Sequence, residues 1–353
     1  MALDLEQSLR EVFLRGGSDL HLSVGHRPMG RFVGQLEQLD ADPVTETDMQ
    51  ALIDKVAGPS RRDDLQTRGG IDCRWAIDCC SFRFNIYQTI EGVAASFRVI
   101  PQEIPTMQAL GIPERLSSLA MLSSGLVLVT GATGSGKSTA TAAIIDYANT
   151  HRKDHIITIE DPIEFVYQNK SCLVSQREVG THTPSFADAL RMALREDPDI
   201  IVVGEMRDRE TVQLALEAAE TGHLVFATLH TRTAAQTVER ILAIFPDSDG
   251  QQIRSMLADS LRAVLSVALL KKADRTGRVQ AMEIMMATPA VRNLIREGKT
   301  YQIPNVIQTS RALGMVSMDD CLKGFYEKGV VDRNEVKKFA TNPALLSCSG
   351  GHS

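Results

Sequence analysis

Nine residues, Gly131-Ala132-Thr133-Gly134-Ser135-Gly136-Lys137-Ser138-Thr139, follow directly on the apolar run Leu126-Val127-Leu128-Val129. Gly131, Gly136, Lys137 and Ser138 stand at the fixed positions of G-x-x-x-x-G-K-[ST], the pattern of a phosphate-binding loop. The chemistry follows from the residue types. Glycines let successive backbone N–H groups turn toward one anion at the start of a helix. Lys137 supplies a positive charge to β- and γ-phosphate oxygens, and the Ser138 hydroxyl is a ligand for Mg²⁺. A strand before the loop and a helix after it are the context that this pattern needs.

Three further clusters surround that loop in sequence. In "DIIVVGEMRD" the apolar run Ile200–Val203 places Glu205 just past the end of a buried strand, where ligands gather in open α/β sheets. An acid there serves a metal's water shell or the attacking water, so Ser138 and Glu205 form the candidate metal set. In "HIITIEDPIEF" Glu160, Asp161 and Glu164 cluster at another strand end, and Pro162 keeps Asp161 out of a helix. Glu164 is the candidate base for a water, and Glu160 lies beside it. In "TGHLVFATLHT" His223 precedes an apolar strand and His230 follows it. A histidine at such a strand end can report on a γ-phosphate. Positive charge for a transferring phosphoryl group would come from arginine, and Arg83, Arg98, Arg195 and Arg207 are the candidates. Arg83 and Arg98 sit on apolar strands, unlike most solvated arginines.

The elements that must hold these residues are legible in outline. A 353-residue chain suggests two domains, or one with an appendage. With 43% hydrophobic and 23% charged residues there is material for a real core. Residues 1–100 mix short alternating strands, a hairpin over Phe82–Val99 and a helix around Met49–Val56, an α+β pattern. Residues 101–115 carry Pro101, Pro105 and Pro113 and read as a linker. From 116 to 345 continuous apolar strands alternate with helices, the pattern of a mainly parallel sheet covered on both faces. Beyond Thr233 the chain reads as almost entirely helical. Residues 346–353 read as a flexible tail.

Several classes are disfavoured. The net charge of -6 argues against a dedicated nucleic-acid binder. No run approaches the length of a membrane span, and the acid-bearing N-terminus lacks a signal peptide's apolar core, so a cytoplasmic protein is expected. The six cysteines show neither a C-x-x-C pair nor zinc-finger spacing, and are expected to be reduced. "NKSC" lacks the aspartate of a guanine-binding Asn-Lys-x-Asp, and the protein-kinase sets are missing. A small-metabolite kinase would leave the N-terminal domain unexplained.

The four boxes "GATGSGKST", "IITIEDPIEF", "IIVVGEMRD" and "TGHLVFATLHT", in that order, resemble the Walker A, Asp, Walker B and His boxes of the secretion-ATPase superfamily. "GSDLHLSVGHRPMGR" and "AVRNLIREGKTYQI" resemble the opening and the retraction motif of its PilT-type twitching-motility branch. The resemblance runs over roughly residues 5–340. Ala132 stands where that family usually has proline, and Val291 where it has isoleucine. The assembly and type II secretion branch carries a four-cysteine zinc module and a longer N-terminal region, which favours the retraction branch here. The resemblance implies a PAS-like N-terminal domain, a RecA-like P-loop NTPase domain, and a homohexamer with ATP and Mg²⁺ between domains. It implies ATP hydrolysis that powers type IV pilus retraction against an inner-membrane platform protein, at the cytoplasmic face of that membrane, with other pilus ATPases as further candidate partners. Within it Glu164 is the base, Glu205 organises metal and water, His230 senses the γ-phosphate, and Arg83 and Arg98 neutralise developing charge. An assembly ATPase, an accessory retraction ATPase, a weak scaffold ATPase and a nucleic-acid translocase are the alternatives.

Overall fold

Alternating burial along Phe82, Phe84 and Ile86 gives the N-terminal sheet one apolar face, which needs a cover. A computed structural model describes residues 4–32, 35–56, 65, 67, 69–78, 80–100 and 103–342. Within it the chain divides into two compact units, Met1–Glu103 and Ile104–Ser353. The expected tail and the first two linker residues lie outside the described residues.

The first unit is an antiparallel sheet of β1 (Asp19–Ser23), β2 (Met29–Phe32), β3 (Gln35–Gln38), β4 (Gly70–Ile77), β5 (Cys80–Thr89) and β6 (Gly92–Ile100), in spatial order β3-β2-β1-β6-β5-β4. The expected hairpin is β5–β6, turning between Thr89 and Gly92. Helices α1 (Leu5–Leu14) and α2 (Glu46–Val56) cover the apolar face. Leu9, Val12, Met49 and Leu52 pack there against Leu20, Phe82, Phe84 and Phe97. The opposite face is polar and carries Asp19, Arg31, Arg83 and Arg98 in one cross-strand row.

The second unit is built on seven strands in the order β13-β12-β7-β11-β10-β8-β9. They are β7 (Gly125–Thr130), β8 (His155–Glu160), β9 (Leu173–Glu178), β10 (Ile200–Val203), β11 (Leu224–Leu229), β12 (Leu261–Lys271) and β13 (Arg278–Met286). All neighbours run parallel except β13 against β12. Both faces are buried, which is why β7, β10 and β11 carry no polar alternation. Val127, Val129 and Phe226 face α3 (Lys137–His151). Leu126, Leu128, Ile201 and Val225 face α4 (Phe186–Ala193), α5 (Arg209–Glu220), α6 (Ala234–Leu242), α7 (Gly250–Ser260) and α8 (Pro289–Arg296).

The stretch beyond Thr233 is not almost entirely helical. Its mostly apolar stretch Leu261–Leu270, broken by Arg262 and Ser266, is part of a strand, paired from Ala263 to Lys271 with Arg278–Met286. A mostly apolar stretch of this kind fits a buried helix or a buried strand equally, and only the sheet's open edge decides. The helices that do follow are α8, α9 (Ile303–Thr309), α10 (Met318–Glu327) and α11 (Arg333–Phe339). Glu283 of β13 ties this region inward. Its carboxylate accepts from the backbone N–H of Ala234 at 2.7 Å and of Met318 at 3.4 Å, joining the first turns of α6 and α10. Burial raises its carboxyl above the ordinary value against those two bonds.

Candidate active site

Parallel register decides which side chains meet. Thr130, the last residue of β7, pairs with Leu229, the last of β11. Gly131 and His230 therefore leave the sheet side by side, and the Gly131 N–H donates to the Leu229 carbonyl at 3.3 Å. Val203, the last residue of β10, pairs with Ala227. Glu205 follows two residues later, and Thr228 fixes its turn by accepting from the Met206 N–H at 3.1 Å.

The loop between β7 and α3 requires its glycines. A Cβ on Gly131 would lie 2.3 Å from the Val267 carbonyl and 2.4 Å from Ser135 Oγ, and its φ is +149°. Gly136, at φ +90°, is the N-cap of α3 and offers no side chain to its first N–H groups. By contrast α4, α5, α6, α8, α10 and α11 are each capped by a Ser, Thr or Asp side chain. The first turn of α3 is thus left open for an anion. Ala132, Thr133 and Gly134 form the exposed rim of this loop, and Ser138 and Thr139 are half-buried at the helix start. Ser135 Oγ is buried without a hydrogen-bond partner.

Lys137 turns back into the loop. Its Nζ donates to the Gly131 carbonyl at 2.9 Å and the Ala132 carbonyl at 3.0 Å, and lies 3.3 Å from His230 Nδ1. Burial lowers its ammonium below the ordinary lysine range, opposed by Glu205 and Glu164. His230 Nε2 lies 3.1 Å from Glu205 Oε1, and Glu205 Oε2 pairs with Arg207 at 2.6 Å. Burial raises the Glu205 carboxyl, but Arg207 and His230 outweigh it and hold it below the ordinary range. Lysine, imidazole, carboxylate and guanidinium thus run in one line across three strand ends.

The two candidate acids of the β8 turn separate. Glu164 is exposed, yet near enough to Lys137 to act on its charge. Glu160 is held inward, accepting from Thr158 Oγ1 at 2.6 Å and Gln176 Nε2 at 3.1 Å. Burial raises its carboxyl, and a hydrogen bond from the Glu164 backbone counters that shift. Glu160 therefore fixes the turn that carries Glu164. Glu178 of β9 assists by accepting from the Ile163 N–H at 3.2 Å.

Two expected residues are not brought to this cluster. His223 precedes β11 and its Nδ1 lies 3.0 Å from the Ala218 carbonyl. Arg195 lies, exposed, in the turn between α4 and β10. Both stand at the N-terminal edge of a parallel sheet, whereas ligands gather at its C-terminal edge. In the first unit Arg98 Nε lies 2.8 Å from Asp19 Oδ1. The carboxylate is 6% exposed and the arginine 73%, so a buried acid anchors the guanidinium while its far side faces solvent. Arg83 is its direct cross-strand neighbour.

The reading from residue types missed a cluster of buried hydroxyls beneath the loop. Thr130 Oγ1 lies 3.0 Å from Ser266 Oγ, and Thr237 Oγ1 lies 3.5 Å from Thr130 Oγ1 and 2.7 Å from Thr231 Oγ1. Thr130, Ser266 and Thr237 are fully buried, and they join the base of the phosphate loop to the residue after His230. Only the polar breaks in otherwise apolar runs signalled them. It also missed Gln280, which reaches Gly136 from β13.

A family profile described as Type II/IV secretion system protein matches residues 2–336. The chain belongs to this family. It is 47% identical to the Pseudomonas aeruginosa type IV pilus retraction ATPase PilT over 97% of this chain and 99% of that protein. It is 46% identical to a twitching motility protein of Neisseria gonorrhoeae, over 91% of this chain and 86% of that one. A crystal structure of the pilus retraction motor PilT with bound ADP superposes with a TM-score of 0.91 at 43% identity, covering 98% and 99% of the two chains. Membership agrees with the expected fold, a P-loop domain with a mainly parallel sheet preceded by a smaller α+β domain.

Proposed function

We infer that this protein is an ATPase motor that hydrolyses ATP to power type IV pilus retraction. One observation carries the chemical part: Lys137, His230 and Glu205 converge at the uncapped phosphate loop, with Glu164 within electrostatic reach. The near full-length match to proteins of that name supports the biological part.

ATP docks with its β-phosphate on the open first turn of α3. Lys137 gives up its two carbonyl partners for phosphate oxygens. Glu164 takes a proton from the attacking water, and Glu205 orients that water. His230, hydrogen-bonded to Glu205, stands where a γ-phosphate would be felt. Arg98 and Arg83 supply positive charge that answers the negative charge of the transferring group, within a homohexameric ring.

Mg²⁺ fits this donor set. Among the described residues no group of three or more His, Cys, Asp or Glu is placed to hold a metal alone. Ser138 and Glu205 offer hard oxygens, and Mg²⁺ is commonly held by one or two such groups plus substrate phosphates. When bound, it neutralises charge on the phosphates.

No described helix is long and apolar enough to cross a membrane. The motor works at the cytoplasmic face of the inner membrane, through a membrane-embedded pilus platform protein and alongside other pilus ATPases. Deletion of the gene, scored for surface pili, tests this function. Excess pili without twitching are expected, and a bald cell would make the protein an assembly motor instead.

A further inference from the structure

Gln280 lies on β13, separated from β7 by β12, and 144 residues from the phosphate loop. Its Nε2 donates to the Gly136 carbonyl at 3.2 Å. That carbonyl also accepts the first helical bond of α3, from the Ala140 N–H at 2.9 Å. The approach is close: a Cβ on Gly136 would lie 2.9 Å from the Gln280 amide nitrogen.

The consequence follows from peptide planarity. The Gly136 carbonyl and the Lys137 N–H belong to one rigid trans unit and point in opposite directions. Gly136 sits at φ +90°, in a loop whose glycines restrain the backbone weakly. Two donors on the carbonyl, one of them from a distant strand, fix the plane. The Lys137 N–H is then held facing the side on which the phosphate loop receives its anion. We propose that Gln280 is a positioning residue for nucleotide binding, acting through the Gly136–Lys137 peptide on the β-phosphate. The proposal rests on the phosphate-loop reading above. It adds that the β12–β13 pair, outside all four sequence boxes, sets nucleotide affinity.

A β-phosphate contact is made equally in ATP, in ADP and in the transition state, so its loss weakens binding without slowing the bound complex. Gln280→Met keeps the side-chain length and removes the donor. Gln280→Glu also removes it and turns a charge toward the carbonyl. The full-length variants are assayed beside wild type for ATP turnover, for ADP and tripolyphosphate affinity, and for melting without nucleotide. Gln280→Met should raise the KM for ATP and the Kd for both ligands by about three- to tenfold, the effect of one lost hydrogen bond, with kcat within about twofold. Gln280→Glu should raise them further. Nucleotide-free melting should match wild type.

Four results would overturn the proposal: unchanged KM and Kd, a fall in kcat at constant KM, a loss for ADP but not tripolyphosphate, or lost affinity that tracks lowered nucleotide-free melting. The third would make Gln280 a contact to base or ribose. A wild-type protein that binds no nucleotide would instead sink the phosphate-loop reading itself.

Discussion

His230 Nε2 stands 3.1 Å from Glu205 Oε1, and the ring's other nitrogen faces Lys137. A γ-phosphate entering beside Lys137 would compete for that ammonium and leave the imidazole to Glu205. His230→Ala should therefore keep ADP affinity within about threefold of wild type and lose most preference for ATP analogues over ADP, since it removes one hydrogen bond and not the phosphate cradle. Equilibrium titration of both nucleotides checks this.

The depressed Glu205 carboxyl makes an acid-side prediction. Its folded value lies below the unfolded one, so its stabilisation is present above the ordinary glutamate value of about 4.3 and is lost as pH falls through the lower folded value. Urea unfolding of wild type and Glu205→Gln should therefore differ more at pH 7 than at about pH 3. Equal differences at both pH values would place the carboxylate outside this line of charges.

Lys137 shifts in the same direction, in a more alkaline window. Burial holds its folded value below the ordinary lysine value of about 10.4, so between the two the unfolded chain binds more protons and stability from this group rises with pH. Bound phosphate pulls that value back up. ADP binding at about pH 9 should take up protons in wild type, measured by calorimetry in buffers of different ionisation enthalpy. Lys137→Ala should lose this uptake together with detectable ADP affinity and turnover.

The two acids of the β8 turn should separate in kinetics. Glu164→Gln should retain ATP binding and lose turnover by about 10²–10⁴-fold, the usual worth of a general base. Glu160→Gln preserves the bonds to Thr158 and Gln176 in a carboxyl that burial already pushes up, and should leave turnover within about threefold. The reverse order would move the base to Glu160.

On the first unit, Asp19→Asn removes the charge that anchors Arg98 while keeping its shape. ADP affinity should be unchanged and kcat should fall by at least about tenfold, a fraction of what an arginine finger contributes. Arg98→Ala should fall at least as far. An Asp19→Asn enzyme with normal kcat would leave Arg98 without a need for its anchor.

Helix α8, on the other face of the sheet, carries the stretch that resembles a retraction motif. Val291 and Ile295 are fully buried and Leu294 is partly buried, while Arg296 pairs with Asp259. Arg292→Ala with Leu294→Ala should spare ATP hydrolysis and abolish twitching, scored by colony spreading beside purified turnover. Collapse of hydrolysis would make the helix part of the scaffold alone.

The four boxes were legible because each places one polar residue at the end of an apolar strand, and parallel register then brings those ends together. Register also explains the misses. His223 and Arg195 lie in stretches next to the right ones but at the wrong edge of the sheet, which periodicity does not reveal. Thr130, Ser266, Thr231 and Thr237 come from three separate stretches, and nothing local to any one of them announces that the hydroxyls meet. The strand Leu261–Leu270 hid for a different reason, since a mostly apolar stretch of that length has no period to read.

Glu283 leaves a constraint on anyone rebuilding this molecule. One carboxylate serves as the shared hinge pin for the segment after His230 and for the segment that begins at Met318. Chimeras that exchange the last three dozen residues between related motors would have to be placed on a body that keeps a matching acid on β13. Without it, the exchanged tail would sit on the body with its linkage to the histidine loop cut.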